Sequence, residues 1–271
     1  MPELPEVQSF AHALGKEYFG KKVKRIFLHR KDLRFPFEKA KLMQVFASGT
    51  TFLRPSRVAK QLVLRTENGM VAVSLGMSGS FLPSNYPKRF KHEHVTILFE
   101  DKTAVCYIDP RRFGFWKVIQ SEAEVSSAVN PLCSDELETL FLSSSFRNSS
   151  VSIKTALIDQ AKIGGIGNIY ALEALHLIGV KPTRPCSEMR PKQLKQLSQV
   201  LPEVLQQAID KGGSTVSTYR RLHGDPGGFQ ELHRVYDRAG EKCLRDRCNG
   251  TIERIVQTGR SSWYCPVCQK S

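Results

Sequence analysis

The sequence has no apolar run long enough to cross a membrane, and its N-terminus lacks the basic start and apolar stretch of a secretory signal. Acidic residues are scarce: 26 Asp and Glu stand against 40 Lys and Arg, which gives a formal net charge of +14. An excess of this size favours a polyanionic partner, either nucleic acid or an anionic membrane surface. We therefore expect a cytoplasmic, nucleoid-associated protein.

Cysteine is rare except near the C-terminus, where four of the seven cysteines fall within the last 29 residues. An odd total in a basic, non-secretory chain argues against a disulfide framework. The four form two closely spaced pairs, Cys243 with Cys248 and Cys265 with Cys268. Both spacings allow two sulfurs to reach one tetrahedral zinc ion. We predict one structural Zn²⁺; four unliganded buried thiols are the alternative.

The stretch TIERIVQTGRSSWYC between the two cysteine pairs predicts a β-hairpin with its turn at Thr258-Gly259. A closed four-sulfur site is structural rather than catalytic. The zinc should therefore hold this hairpin and, with it, Arg260 at the hairpin tip.

Hydrophobic periodicity divides the rest of the chain into two parts. Residues from about 3 to 18 repeat apolar side chains at helical spacing, which predicts an amphipathic helix, and six short apolar or alternating runs between about 22 and 119 predict an antiparallel β-sandwich or barrel. One of these runs, RVAKQLVLRT, reads as a single strand that contains Lys60. Serine-rich stretches at 121–130 and 143–152 flank a short helix near 134–142 and predict a domain boundary.

The segments that follow are helical. They are IKTALIDQAKI, NIYALEALHLI after the turn GGIGN, and a longer segment from about 190 to 211 in which Pro202 marks a start or a kink.

The first residues can provide a reactive amine. If Met1 is removed, Pro2 presents a free secondary amine with Glu3 beside it. An α-amino group titrates near pH 8, so a useful fraction is unprotonated and nucleophilic at neutral pH. The alternative is that Pro2 is an ordinary proline at a helix start.

Five motifs in order carry a resemblance that runs through essentially the whole chain. MPELPEV, LGMSGS at 75–80, DPRRFG at 109–114, GGIGNIYALEAL at 164–175 and the finger with GRSSWYC closely resemble the formamidopyrimidine-DNA glycosylase family, the bacterial base-excision enzymes for oxidised purines. The resemblance implies a multidomain α+β fold. Its parts are an N-terminal helix on a two-layer antiparallel β-sandwich (1–125), a helix-two-turns-helix domain (130–225) and a β-hairpin zinc finger (236–271).

The resemblance also implies catalytic roles. The Pro2 nitrogen would attack the deoxyribose C1′ and form a Schiff base, Glu3 would act as general acid and base, and Glu6 would assist through water. Lys60 would contact phosphate and assist elimination, although a solvated or snorkelling strand lysine is the common alternative. Arg260 would grip the flanking phosphate and assist the second elimination.

Further residues match the family's DNA contacts. Phosphate contacts are implied for three residues, His92, Lys154 and Asn168, and filling of the gap left by an extruded base is implied for three others, Met77, Arg111 and Phe113. A glycine-rich turn that opens a helix supports the phosphate role, since its N–H groups are free. Alternatives from the residues alone are an ordinary turn for GGIGN, a weak metal pair for KHEH around His92, and core positions for Met77 and Phe113.

These features together predict a monomeric, zinc-containing DNA glycosylase and AP lyase. Its substrate would be double-stranded DNA with oxidised purines or abasic sites. Three alternatives remain: an endonuclease VIII-like enzyme for oxidised pyrimidines, a catalytically silent DNA-binding homologue, and a zinc-ribbon RNA-binding protein. The chain departs from the family in the four-residue spacing between Cys243 and Cys248, and its segment 214–230 has no confident match.

Overall fold

A computed structural model describes residues 2–84, 86–215 and 220–270. The chain divides into two compact units: Met1–Ser127 with Ile209–Gly228, and Ala128–Ala208 with Phe229–Ser271. Within the described residues, no helix combines the length and apolar character needed to cross a membrane.

The first unit begins with the predicted amphipathic helix, α1 (Leu4–Tyr18), and a shorter helix, α2 (Lys39–Val45), follows the first strand. The strands are β1 (Val23–Leu28), β2 (Phe52–Val58), β3 (Gln61–Thr66), β4 (Gly69–Ser74), β5 (Ser80–Pro83), β6 (Glu93–Phe99), β7 (Ala104–Ile108) and β8 (Phe115–Ile119).

These strands form two antiparallel four-stranded sheets, in the orders β1-β6-β7-β5 and β2-β3-β4-β8. A single buried cluster draws side chains from both sheets and from the apolar face of α1, including Phe10 and Leu14. Phe81 of one sheet and Trp116 of the other have ring centroids 6.0 Å apart within this core. The prediction of an N-terminal helix on a two-layer sandwich is therefore confirmed.

The interpretation of RVAKQLVLRT as one strand is wrong. β2 ends at Val58 and β3 begins at Gln61, and these two residues pair directly, so Ala59 and Lys60 form a two-residue hairpin turn. Ala59 has a φ of +51°, a conformation that glycine or asparagine usually supplies. Because neither residue type is present here, the sequence carried no turn signal. Lys60 therefore lies at a hairpin tip and not within a strand.

The second unit is mainly helical. Its helices are α3 (Ser134–Leu142), α4 (Ser144–Arg147), α5 (Ile153–Leu157), α6 (Asn168–Leu177) and α7 (Pro191–Asp210), the last of which ends in the first unit. Its hairpin consists of β9 (Glu253–Gln257) and β10 (Arg260–Tyr264), and Thr258 and Gly259 form the predicted turn with φ values of +47° and +73°. Two positive φ values are typical of the type I′ turns that suit hairpins.

Two helical expectations need correction. The helix expected over IKTALIDQAKI ends at Leu157, because the side chains that follow bond to local backbone instead. Asp159 accepts the N–H of Ala161, and the Gln160 amide bonds to backbone on both sides of the turn. Pro202 does not start a helix either: α7 begins at Pro191 and contains Pro202 in its interior.

Candidate active site

The N-terminus of α1 holds two buried carboxylates directly after Pro2. Glu3 is the N-cap residue, and its side chain accepts the backbone N–H of Glu6. In return, Glu6 Oε2 accepts the Glu3 N–H at 2.7 Å, which completes a capping box. Glu6 Oε1 accepts the N–H of Ser214 at 2.8 Å. Glu6 therefore fixes the start of α1 to the segment around Ser214, and Pro2 and Glu3 stand on a rigid support.

The turn that carries Lys60 is tied to the same helix. Arg57 Nε donates to Gln8 Oε1 of α1 at 3.0 Å, and Arg57 Nη1 donates to the Ala59 carbonyl at 3.0 Å. Burial lowers the pKa of Arg57 to about 10, which leaves the guanidinium charged at neutral pH. One arginine thus links the Lys60 turn to the helix that begins beside Pro2.

The loops that follow β4 and β7 are joined by one buried carboxylate, that of Asp109. Its Oδ1 accepts the Ser78 hydroxyl at 2.5 Å, and the Ser78 oxygen in turn accepts the Arg111 N–H at 3.1 Å. Its Oδ2 accepts the Gly114 N–H at 2.8 Å. Asp109 has no solvent exposure. It therefore fixes Ser78 next to Met77 and both ends of the segment that carries Arg111.

Asp109 also anchors His92 through its main chain. The Asp109 N–H donates to the His92 carbonyl at 3.1 Å, and His94 Nε2 lies 2.9 Å from the Asp109 carbonyl. His92 has a φ of +64°, an uncommon conformation for a residue other than glycine. His94 is buried, and among the described residues neither His92 nor His94 belongs to a group of three or more metal-ligating side chains.

The side chains at the loop tips are exposed, contrary to the core alternative. Met77 is 42% exposed and Phe113 is 46% exposed. The Arg111 guanidinium carbon lies 4.7 Å from the Phe113 ring centroid, at cation–π distance. The loops also touch, because a Cβ at Gly76 would come within 2.6 Å of the Phe113 carbonyl carbon. The two loops together present a thioether, a guanidinium and an aromatic ring to solvent.

In the second unit, three predicted phosphate contacts gather at the β9–β10 hairpin. Lys154 of α5 is fully buried, and its Nζ donates to Ser262 Oγ at 2.8 Å. Asn168, the first residue of α6, donates from Nδ2 to the Ser261 carbonyl at 2.9 Å. Burial, and secondarily the charge of Arg260, lower the pKa of Lys154 to about 8. No described carboxylate forms an ion pair with Lys154, so this cluster is a cationic site.

The four C-terminal cysteines meet the requirements of a zinc site. All four sulfurs lie within 4.8 Å of one another, with 3.7 Å between Cys243 Sγ and Cys268 Sγ and 3.6 Å between Cys248 Sγ and Cys265 Sγ. Zn–S bonds of about 2.3 Å in a tetrahedron put the sulfurs about 3.8 Å apart. The cysteines therefore form one structural zinc site, and among the described residues no other group of three or more metal-ligating side chains gathers.

Several supporting residues escaped the sequence analysis. Arg57 was noticed only as the start of the run RVAKQLVLRT, and Ser262 and Asp109 only as parts of GRSSWYC and DPRRFG. Glu173, buried in α6, accepts N–H groups from three successive residues, Arg234, Val235 and Tyr236. Burial raises the pKa of Glu173 even though these N–H bonds oppose the rise. Periodicity analysis cannot find such a residue, because a carboxylate on an apolar helix gives no sign of its partners.

Comparison with known proteins identifies the family. The formamidopyrimidine-DNA glycosylase N-terminal domain matches residues 1–116, the H2TH domain of the same enzymes matches 128–220, and the zinc finger found in FPG and IleRS matches 240–270. The chain belongs to the formamidopyrimidine-DNA glycosylase (Fpg) family.

Relatives cover the whole chain. It is 36% identical over 289 residues to the formamidopyrimidine-DNA glycosylase of Caulobacter vibrioides strain NA1000, covering 99% of this chain and 100% of the relative. It is 39% identical over 301 residues to that of Rhizobium etli, with full coverage of both. A Lactococcus lactis Fpg variant bound to Fapy-dG-containing DNA superposes with a TM-score of 0.88 at 31% identity, covering all of both chains. Lactococcus lactis Fpg with abasic-site DNA gives 0.86 at 29%, covering 99% of this chain and 100% of that one.

The Asp109 ties predict a local loss of order in an Asp109→Asn variant. The amide NH₂ of asparagine cannot accept the hydrogen bond that Oδ2 accepts, so the Gly114 N–H or the Ser78 hydroxyl loses its partner, at a cost of about 1–3 kcal/mol. We expect amide hydrogen exchange of residues 111–114 to accelerate by about 10-fold or more.

Asp101→Asn is the matched control, since Asp101 pairs with Lys21 at the surface in the turn between β6 and β7. Its effect should stay within that turn. Unchanged exchange at residues 111–114 in Asp109→Asn would show that the carboxylate does not hold the loop.

Proposed function

We propose that this protein is a bifunctional DNA glycosylase and AP lyase that excises oxidised purines, 8-oxoguanine and formamidopyrimidines, from duplex DNA. The main support is the pair of exposed loop tips tied to Asp109. An enzyme that acts on a base must take it out of the stack, and the gap needs a filler. Met77 and Phe113 supply the apolar filler and Arg111 a donor for the orphaned base. Exposed side chains on buried, hydrogen-bonded supports suit that task.

The chemistry would start at the N-terminus, after removal of Met1. The Pro2 nitrogen attacks C1′ of the damaged nucleotide, the N–C1′ bond forms, and the bond from C1′ to the base breaks as the base leaves with a proton. Glu3 is the general acid and base at the sugar. Protonation of O4′ then breaks the C1′–O4′ bond and opens the sugar to an iminium at Pro2. Proton loss from C2′ of this iminium expels the 3′ phosphate, a second elimination expels the 5′ phosphate, and water releases Pro2.

Phosphate binding would fall to cationic and polar side chains in each unit. Lys60 and His92 would serve in the first unit, and Lys154, Asn168 and Arg260 in the second. The start of α6 adds free N–H groups and a positive dipole end. The partner would be double-stranded DNA with oxidised bases or abasic sites, bound by a monomer with domains at 1–125, 130–225 and 236–271.

Two other functions are distinguishable from this proposal. An endonuclease VIII-like enzyme would prefer oxidised pyrimidines, and the combination of PELPEV with both Arg111 and Phe113 favours purines. A silent DNA-binding homologue would form no covalent intermediate. The relative rates of excision of 8-oxoguanine and thymine glycol distinguish the purine enzyme from the pyrimidine enzyme. Borohydride trapping of a covalent intermediate distinguishes an active enzyme from a silent homologue.

We expect borohydride to trap a covalent complex between the protein and 8-oxoguanine DNA, with the crosslink on Pro2. Reduction converts the iminium to a stable amine, which peptide mapping locates. Intact mass must show that Met1 is absent, because an acylated Pro2 nitrogen is not nucleophilic. Pro2→Gly should retain partial lyase activity, since a primary amine remains. Glu3→Gln should suppress base excision far more than cleavage of a preformed abasic site.

A crosslink that maps to a lysine, Lys60 or Lys154 included, would assign the nucleophile elsewhere. Absence of any trapped complex from protein that lacks Met1 and binds the DNA would favour the silent homologue.

Arg111→Ala should alter opposite-base discrimination. If Arg111 bonds the orphaned base, its removal costs a base-specific contact of about 1–3 kcal/mol, so excision opposite C, T, G and A should change unequally. A phosphate contact would instead weaken binding about equally for all four and make the salt slope shallower by about one unit. The assay is excision opposite each base at two salt concentrations. Equal losses with a reduced slope would contradict the gap-filling role.

Lys154 predicts a pH dependence of DNA affinity. Its pKa of about 8 in the free protein lies below its ordinary value of 10.5, and a bound phosphate would raise it by favouring the charged form. Binding then takes up a proton above pH 8, so affinity should be flat below pH 8 and fall as the pH rises above it. The measurement is the Kd for duplex with a tetrahydrofuran site across this range at constant salt.

Lys154→Met should bind more weakly and lose the fall above pH 8. Lys162→Met is the control, because Lys162 is a surface lysine near Asp159 and should keep the pH profile. A profile in Lys154→Met identical in shape to that of the unmodified protein would assign the titration to another group.

A further inference from the structure

The first zinc knuckle, residues 243–248 with the first cysteine pair at its ends, contacts the C-terminal turn of α6. Four residues separate Cys243 from Cys248, two more than the family usually has, and Arg245 is among them. Arg245 Nη2 donates to the His176 carbonyl and, at 3.0 Å, to the Leu177 carbonyl. The last carbonyls of a helix lack helical N–H partners and carry partial negative charge, so a guanidinium is well suited to cap them.

From the same turn, an imidazole reaches back to the cysteines. His176 Nε2 lies 3.3 Å from Cys243 Sγ and 3.9 Å from Cys268 Sγ, and the side chain is only 1% exposed. A metal-bound thiolate has no proton and can only accept, which places the hydrogen on Nε2. His176 Nδ1 meets no hydrogen-bond partner within the described part of the chain. The ring is therefore aimed at the sulfurs and at no other polar group there.

The second cysteine pair, Cys265 and Cys268, and the adjoining Gln269 pack against the residues that follow α6. Gln269 Nε2 donates to the Val180 carbonyl at 2.8 Å, and Gly179 has a φ of +71°. A Cβ at Gly179 would lie 3.1 Å from the Cys268 carbonyl oxygen and 3.4 Å from Arg245 Nη1. Both knuckles thus close on one helix end, and the approach is tight enough to favour glycine.

We propose that His176 is a positioning residue of the zinc centre, donating an N–H···S hydrogen bond to Cys243, and that the enlarged knuckle supplies Arg245 to hold the helix end from which His176 reaches. Four thiolates and one Zn²⁺ carry a net charge of −2. An N–H directed at a sulfur stabilises this charge and orients the ligand, which slows protonation and dissociation of the thiolate. The longer loop between Cys243 and Cys248 would thus serve to carry Arg245 to the end of α6.

The test is the rate at which the full-length, zinc-loaded protein transfers zinc to the chromogenic chelator 4-(2-pyridylazo)resorcinol. His176→Phe keeps a ring of similar size without the N–H, and His176→Gln keeps an N–H close to the Nε2 position. We expect zinc transfer about 10-fold or more faster in His176→Phe, in the range that loss of such outer contacts produces, and within about twofold of the unmodified protein in His176→Gln.

Arg245→Met removes the cap, and Arg245→Lys keeps the charge without the planar fork. Arg245→Met should accelerate zinc transfer, and its combination with His176→Phe should add little, because both act through one hydrogen bond. Fully multiplicative rates in the double variant would show that Arg245 does not act through His176.

Equal rates in His176→Phe and the unmodified protein would overturn the role of His176. Equal acceleration in His176→Phe and His176→Gln would assign the effect to ring packing. A measurement on the unmodified sequence avoids variants that misfold. When ¹¹³Cd replaces zinc, the NMR signal of the His176 Hε2 proton should correlate with the metal through the sulfur. A visible Hε2 proton without that correlation would contradict the hydrogen bond. These measurements need no DNA, so they succeed or fail independently of the glycosylase activity.

Discussion

The hydrogen bonds to the Asp109 carboxylate are the constraint on which the geometry of the first unit's loops depends. A buried carboxylate is costly unless its oxygens are fully engaged, and bonds to a charged acceptor are stronger than neutral ones. Here the Ser78 hydroxyl and the Gly114 N–H meet that requirement, and each belongs to a different loop. The side chains at the tips, Met77 and Phe113, are 42% and 46% exposed, so they gain only part of the packing of a core residue. The carboxylate therefore orders these tips in the free protein, and such order would reduce the entropy lost if they act as the gap-filling wedge that we propose.

In the second unit, α6 has a comparable organising role. Residues 169–176 are all buried, so the helix is a scaffold and not a surface element. Asn168 at its start bonds to the hairpin, Glu173 in its middle collects three N–H groups, and His176 at its end approaches the cysteines. The zinc finger and the segment that leads into it thus contact the start, the middle and the end of one helix.

How far the sequence predicted this molecule depended on whether a local signal was present. The α1 periodicity, the Thr258-Gly259 turn and the cysteine spacing each encode their structure locally, and each prediction is confirmed. The turn at Lys60 was missed because Ala59 takes a positive φ without glycine or asparagine. The end of α5 was missed because Asp159 bonds to local backbone in a segment that otherwise resembles a helix. Asp109 and His176 matter through partners distant in sequence, which no spacing rule reveals.

The two buried charged residues of the candidate site, Asp109 and Lys154, differ in how well their charges are stabilised. Asp109 is buried and its carboxylate oxygens accept hydrogen bonds from both loops, which favours rigidity at the loops that we propose as gap fillers. Lys154 is equally buried, and burial lowers its pKa. The Ser262 hydroxyl that accepts its hydrogen bond carries no negative charge to offset this effect, and the nearby positive charge of Arg260 adds to it. Such a site costs stability in the free protein, and an anion removes that cost when it binds. The sandwich thus supplies fixed shape, and the helical unit supplies a charge that becomes fully stable only with the phosphate that we propose as its ligand.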